Sequence, residues 1–311
     1  MKALGWGKSL MAVCTVIFAI PITAQAQTIW DGTADVSWYN TSETSFTITT
    51  AEQLAGLAQI VNGTASGMSE DDFTGKTITL GSNIALNNTT NWQNWGNVAP
   101  ANSWTAIGTT RFAREFAGTF DGAGFVISGV YINSSSVQGL FGNIVSGGTI
   151  KNLGVTASYV KGNTNVGGLV GANVLGTITN CYSTGNVVGD NIGIDRNVGG
   201  LVGFNSGTIT NSYATGTVQV MWRSGSNSSV GGLVGSHVLG AITNSYATGN
   251  VLGVGSGGLV GETGNGAITN SYYNSSTDGA GSRGTPKTEA EMRSEAFVAS
   301  LNYVAFNISA N

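Results

Sequence analysis

A six-residue block returns along the second half of this chain, and it constrains the fold more than any other feature. Val166-Gly-Gly-Leu-Val-Gly171 recurs at 198–203, at 230–235 and, beginning with Ser256, at 256–261. The spacings are 32, 32 and 26 residues. Each copy leads to a second block: Thr177-Ile-Thr-Asn-Cys-Tyr-Ser-Thr-Gly185, Thr208-Ile-Thr-Asn-Ser-Tyr-Ala-Thr-Gly216, Ala241-Ile-Thr-Asn-Ser-Tyr-Ala-Thr-Gly249 and Ala267-Ile-Thr-Asn-Ser-Tyr-Tyr273. Weaker copies lie upstream, from Val137 to Val155 and from Phe120 to Ile132.

Within each copy, apolar residues alternate with Thr, Asn or Ser and are broken by Gly. That is the period-2 pattern of short strands. No repeat contains Pro, which would remove a ladder donor. One such unit cannot bury its own inner face, whereas stacked coils bury a continuous core and pair every strand above and below. The chain therefore reads as an all-β solenoid.

Aligning the copies assigns directions. Ile127, Ile150, Ile178, Ile209, Ile242 and Ile268 form one inward column. A second runs Val130, Leu153, Cys181, Ser212, Ser245, Ser271, and a third Ile132, Val155, Ser183, Ala214, Ala247, Tyr273. Both shrink along the chain, so the interior is expected to narrow toward the C-terminus. Cys181 reads as a buried reduced thiol standing in for Ser. Between the first two columns lies Asn (Asn152, Asn180, Asn211, Asn244, Asn270), with Gly129 in the earliest copy. Asn tolerates left-handed geometry at a bend, and stacked amides can bond along the axis. The Gly-Gly pairs read as corners.

Two outward rows remain. One is aromatic, Tyr131, Tyr182, Tyr213, Tyr246 and Tyr272. The last four, together with Trp222 and Arg223, are the candidate ligand-binding residues. Tyrosines on a regular face suit flat sugar rings, though the same row also suits packing between coils. Trp222 and Arg223 fall in the middle of three insertions, between Val187 and Val198, Val218 and Val230, and Val251 and Ser256. The other row is Thr177, Thr179, Thr208, Thr210, Thr243 and Thr269. It forms a T-x-T array like some ice-binding faces, and β-propensity alone also produces it.

The paired blocks resemble the GLUG motif of bacterial surface and secreted proteins. The resemblance covers roughly Val126 to Asp278, with Phe116–Gly124 and Trp104–Gly108 similar to the usual lead-in. It implies a right-handed parallel β-helix and a surface or extracellular setting. In some members such repeats accompany immunoglobulin-A-cleaving zinc metallopeptidase domains. That activity needs H-E-x-x-H, and this chain has one histidine, His237.

The ends read as an address and two lids. Lys2 and Lys8, the apolar run Leu10–Ile20 and Ala24-Gln25-Ala26 make residues 1–26 a secretory signal peptide. Its removal takes the net charge from −4 to −6, since two lysines and no acids leave. Residues 27–115 are expected to form an N-terminal capping region. There Thr50-Ala-Glu-Gln53 opens a helix near 50–62 that carries Leu54, Leu57 and Val61. Residues 116–279 form the repeats. Residues 280–311 form a C-terminal cap, with a second capping box at Thr288–Glu291 and an apolar stripe through Met292, Ala296, Phe297, Ala299 and Leu301.

Charged residues are only 9% of the chain and no basic tract exists, which argues against nucleic-acid binding. No later segment resembles a membrane span. Catalysis on a β-helix calls for clustered carboxylates. The acids of the strong repeats (Asp190, Asp195, Glu262, Asp278) occupy different positions in successive coils. Glu70-Asp71-Asp72 reads as a solvated turn, and His237, beside a turn, as a surface residue. The expected protein is a secreted or cell-surface monomer that binds a glycan or a surface protein, without catalysis, metal or cofactor. The alternatives are a secreted carbohydrate-active β-helix enzyme and an ice-binding or spacer solenoid.

Overall fold

A computed structural model describes residues 28–109, 114–190, 195–220, 227–253, 256–277 and 283–294, with 297 and 301. The expected signal peptide lies outside the described residues. The chain is a parallel β-solenoid. Every strand-to-strand pairing among the named strands is parallel, and the strands sort into five sheets running along one axis.

Two of these sheets have eight strands. The threonine sheet holds Ser45–Ile48, Thr77–Leu80, Thr119–Asp121, Thr149–Lys151, Thr177–Thr179, Thr208–Thr210, Ala241–Thr243 and Ala267–Thr269. The tyrosine sheet holds Ile84–Ala85, Val126–Ser128, Gly154–Thr156, Tyr182–Ser183, Tyr213–Ala214, Tyr246–Ala247, Tyr272–Asn274 and Thr285–Lys287. Three shorter sheets complete each coil, one of them built on the Leu-Val-Gly segments, such as Val202–Asn205 and Val234–His237.

The inward columns are buried as expected except in the last coil, where Ile268 and Tyr273 are only partly buried. Ile150, Ile178, Ile209 and Ile242 are fully buried, as are Leu153, Ser212 and Ser245. The earliest copy differs in register. Phe120, not Ile127, pairs with Ile150, while Ile127 pairs with Val155. Tyr131 pairs with Tyr159 on a separate sheet, so it lies outside the tyrosine row. The cause is a corner of four residues (122–125) where later coils have two, as at 152–153. Alternation of period 2 looks the same on two successive strands, so a shift from one to the next leaves the pattern intact. Gly129 is correspondingly no equivalent of the Asn row; it meets Asn87, whose Nδ2 donates to its carbonyl.

The Asn row is the corner between the two large sheets. Asn152, Asn180, Asn211, Asn244 and Asn270 all take positive φ, between 48° and 54°. Their amides bond head to tail along the axis. Asn180 Nδ2 donates to Asn152 Oδ1 at 3.0 Å, Asn211 to Asn180 at 3.1 Å, Asn244 to Asn211 at 3.2 Å and Asn270 to Asn244 at 2.6 Å. Beside it runs a hydroxyl ladder. Ser212 Oγ accepts from Cys181 N and donates to Thr210 O; Ser245 and Ser271 repeat this in the next two coils. The small second-column residues thus serve the backbone N–H that follows each left-handed Asn. Cys181 takes the same place with its thiol on Thr179 O, and burial pushes that thiol up to about 12.

The glycine pairs work by close approach rather than by left-handed backbone. A Cβ on Gly168 would overlap Ser183 Oγ and the Gly200 carbonyl, and φ is not positive there.

The N-terminal lid is the helix Ala51–Val61, with Leu54, Leu57 and Ile60 fully buried in the main core. Thr50 Oγ1 accepts from Gln53 N, while the Gln53 side chain accepts from Thr49 N rather than closing the box on Thr50. At the other end Glu289–Met292 carries a complete capping box between Thr288 and Glu291. Met292, Phe297 and Leu301 bury together against Tyr246 and Tyr272; Ala296 and Ala299 lie outside the described residues.

The ladder and the left-handed corner contribute separately. Asn211→Gly keeps the geometry but removes the amide, and is expected to cost roughly 1–2 kcal/mol in thermal or urea unfolding. Asn211→Ala should cost about 1 kcal/mol more, because Ala also resists positive φ. Equal losses would show that conformation contributes nothing.

Candidate functional site

Tyr182, Tyr213 and Tyr246 come together as a stack. Neighbouring ring centroids are 4.9 Å apart and the planes differ by 1° and 3°. This spacing is that of adjacent strands, so the rings inherit the register of the backbone. Their faces meet each other, and both ends of the row are covered. Tyr182 lies against the Cα of Gly154, where a Cβ would collide with its ring. Phe297 packs edge-on against Tyr246 at 6.2 Å and Tyr272 at 5.0 Å. What faces outward is a ridge of ring edges and hydroxyls, half-buried along its length. Burial raises the Tyr182 and Tyr213 phenols and pushes Tyr246 up to about 12, so the ridge presents neutral hydroxyls. Trp222 and Arg223 lie outside the described residues. The strands that precede the three insertions, Asn186–Gly189, Val218–Val220 and Val251–Leu252, are neighbours in one sheet.

The threonine face is longer than the sequence suggests. In register with Thr177 and Thr208 stand Thr77, Thr119 and Thr149, and Thr79 and Thr47 extend the second column. Asp121 and Lys151 interrupt that column with an ion pair at 3.2 Å.

Ionisable side chains form part of the scaffold. Asp121 accepts from Asn152 Nδ2 at 3.0 Å and so ends the asparagine ladder. Burial opposes its charge, but Asn152, the Ala123 N–H and Lys151 together hold the carboxyl below its usual range. Asp71 is likewise no solvated turn residue. It bonds the Tyr39 hydroxyl and the Lys76 ammonium, and these outweigh its burial to keep it ionised. With Glu70, Asp72, Arg114 and Glu115 it lines a polar groove of about 440 Å³.

His237 corrects another expectation, because it is fully buried rather than on the surface. It occupies the Asn position of its sister coils, and Asn173 Nδ2 donates to Asn205 Oδ1 at 2.7 Å. Asn205 Nδ2 faces His237 Nδ1 at 2.9 Å, and His237 Nε2 faces the Ala267 carbonyl at 3.3 Å. These partners call for the neutral Nε2–H tautomer, and burial lowers the imidazole pKa. Among the described residues no three His, Cys, Asp or Glu are placed to hold a metal ion, and no helix is long and apolar enough to cross a membrane.

The family description "The GLUG motif" matches residues 162–188, 195–219 and 226–252. These are GLUG repeats. Each GLUG unit starts near the insertion corner and runs through the Leu-Val-Gly strand, the threonine sheet and the asparagine corner to the tyrosine sheet. Halomucin from Haloquadratum walsbyi is 33% identical over 177 residues, which is 56% of this chain and 2% of that protein. The chain thus spans a small fraction of the curated relative it matches. A crystal structure of a Bacteroides ovatus protein, provisionally named an immunoglobulin A1 protease, superimposes with a TM-score of 0.55. It covers 84% of this chain and 88% of that one at 21% identity, a likeness of fold.

A group neutral in the native state but protonated when unfolded makes stability decline as the pH is lowered. The His237 pKa lies below its ordinary ~6.5. Stability is therefore expected to be full above pH ~7 and to decline as pH drops from ~6.5 toward 5. His237→Asn, which restores the residue of the sister coils, should flatten urea-melt midpoints over that window. A wild-type profile already flat there would contradict the buried neutral assignment.

Proposed function

We propose that this chain is an exported, non-catalytic binding module of a bacterial surface or secreted protein. The solenoid acts as a rigid rod, and its contacts are made by the hydroxyl ridge of Tyr182, Tyr213, Tyr246 and Tyr272 and by the insertion corner carrying Trp222 and Arg223. The observation that carries this reading is the regularity of the tyrosine stack. Its 4.9 Å steps and near-zero plane angles give an extended partner a repeating set of polar contacts. Holding them on packed strands lowers the entropy cost of binding, since little side-chain freedom remains to be lost. The insertions fall on consecutive coils at one corner, which suits a single extended contact. GLUG repeats and the leader-like residues 1–26 support export. The partner is a glycan or a surface protein.

One observation favours a second reading, carbohydrate cleavage. Glu70, Asp71, Asp72 and Glu115 share a groove with Arg114, and paired carboxylates are the machinery of glycoside hydrolysis. Asp71 is engaged by Lys76 and Tyr39 and Glu70 lies 4.0 Å from Arg114, so this reading assigns the reacting carboxylate to Glu115.

An array of glycans and extracellular proteins, probed with the wild type, Trp222→Ala and Tyr213→Phe, tests the binding reading. Selective capture that weakens roughly tenfold in either variant is expected, the loss of an anchoring contact or hydroxyl being worth ~1–2 kcal/mol. Background signal from all three proteins would refute it. Release of reducing ends from a polysaccharide panel, abolished by Glu115→Gln, would replace it with the second reading.

A further inference from the structure

Between the strands Ile84–Ala85 and Thr119–Asp121 the chain leaves the solenoid in a long excursion that no repeat contains. Two asparagines clamp its root. Asn87 Nδ2 donates to the carbonyls of Asn102 (2.8 Å) and Gly129 (2.9 Å), and Asn87 Oδ1 accepts from Asn102 N at 2.9 Å. Asn102 Nδ2 in turn donates to the carbonyls of Trp30 (2.6 Å) and Leu86 (3.1 Å). The tip is pinned by Trp95, which is buried with Tyr131, Tyr159 and Val188 on the solenoid flank. Trp95 meets Tyr131 edge-on at 6.0 Å. Fixed at root and tip, the excursion and the segment Ile29–Asp31 enclose a groove of about 1210 Å³. That exceeds the roughly 300–1,000 Å³ of a site for a drug-sized molecule.

The lining has a specific chemistry. Asn91 and Gln93 are exposed on one wall. Trp30 and Asp31 form another, where Trp30 is held by its Nε1–H on the Thr33 carbonyl and packs edge-on against Trp104 at 5.7 Å. Ile29 and Val98, 43% and 62% exposed, add apolar surface to the same groove. Among the described residues no Lys, Arg or His lines it, and Asp31 is its one carboxylate. Thr33, through its hydroxyl and its N–H, holds that carboxyl below its usual range, so it is an acceptor. Amides that donate and accept at once match vicinal hydroxyl pairs, and an indole with flanking aliphatic carbons matches the C–H face of a pyranose. The absence of cations argues against a phosphate, sulfate or uronate ligand.

We infer that this groove binds a neutral oligosaccharide. The site shares no residue with the tyrosine ridge or the insertion corner, so it stands or falls apart from them. Titration calorimetry of the full chain against neutral oligosaccharides (glucans, mannans, galactans, N-acetylhexosamine polymers) and their sulfated counterparts tests it. At least one neutral ligand should bind, and its sulfated form should bind at least tenfold more weakly. The double variant Asn91→Ala/Gln93→Ala, both exposed, should lose roughly tenfold or more in affinity with an unchanged melting temperature. Trp222→Ala and Tyr213→Phe should bind as the wild type does. The inference is overturned by no binding at millimolar ligand, by preference for the sulfated forms, or by an unaltered affinity in the double variant. Loss in Trp222→Ala or Tyr213→Phe alone would move the sugar to the ridge and corner.

Discussion

The structure depends on a left-handed asparagine at one corner of each GLUG coil. Positive φ turns the chain from the threonine sheet into the tyrosine sheet, and the same side chain bonds to the coil before it. Conformation and stacking are thereby tied to one residue type. Gly would allow the turn but has no amide, and Gln would carry the amide but resist the turn. The row has a direction. Each Nδ2 donates toward the N-terminus, and the last donor meets the Asp121 carboxylate. At the other end the Tyr272 hydroxyl donates into Asn270. A chain of amide dipoles with an anion at its positive end and a donor at its negative end has no unsatisfied terminus.

The remaining order follows from that register. Once coils sit directly above one another, identical positions become neighbours, and each column develops the chemistry its residue type permits. Tyr forms a ring stack, Ser a hydroxyl ladder to the backbone, and Asn173, Asn205 and His237 a buried polar row. With so few charged residues in the sequence, much of the polar chemistry of the repeats serves the scaffold. What departs from the repeat is confined to the insertions and to the excursion between Ile84–Ala85 and Thr119–Asp121.

Much of the solenoid is legible in the sequence because its signals are periodic. The Ile column, the Asn corner, the Thr50 cap, the Thr288–Glu291 capping box and the buried thiol all follow from alternation and from residue chemistry. The errors fall where periodicity carries no information. The Phe120–Ile132 copy shifts because a longer corner moves the strands while leaving the alternation unchanged. His237 looks like a surface residue because its neighbours are turn residues; the buried Asn in its sister coils was the available signal. Asp71 looked solvated because its partners, Tyr39 and Lys76, are distant or unremarkable in sequence. The groove around Asn91 and Gln93 went unseen for a related reason. Its walls come from segments about sixty residues apart, although the density of Asn and Trp between Asn87 and Trp104 marked the stretch as unlike the coils.

The central claim is that successive coils lie in parallel register along one axis. Spin labels on outward threonines of the threonine sheet read this directly by electron-electron distance measurement. Thr79 and Thr269 stand on strands separated by six steps in the sheet order. At ~4.8 Å per step their backbones should be about 29 Å apart. The intermediate pair Thr119 and Thr208, three steps apart, should give about half of that. Distances rising in proportion to the step count are the expected result. A Thr79–Thr269 separation no longer than that of the intermediate pair would mean the coils do not stack, and the ladders, rows and lids would lose their basis together.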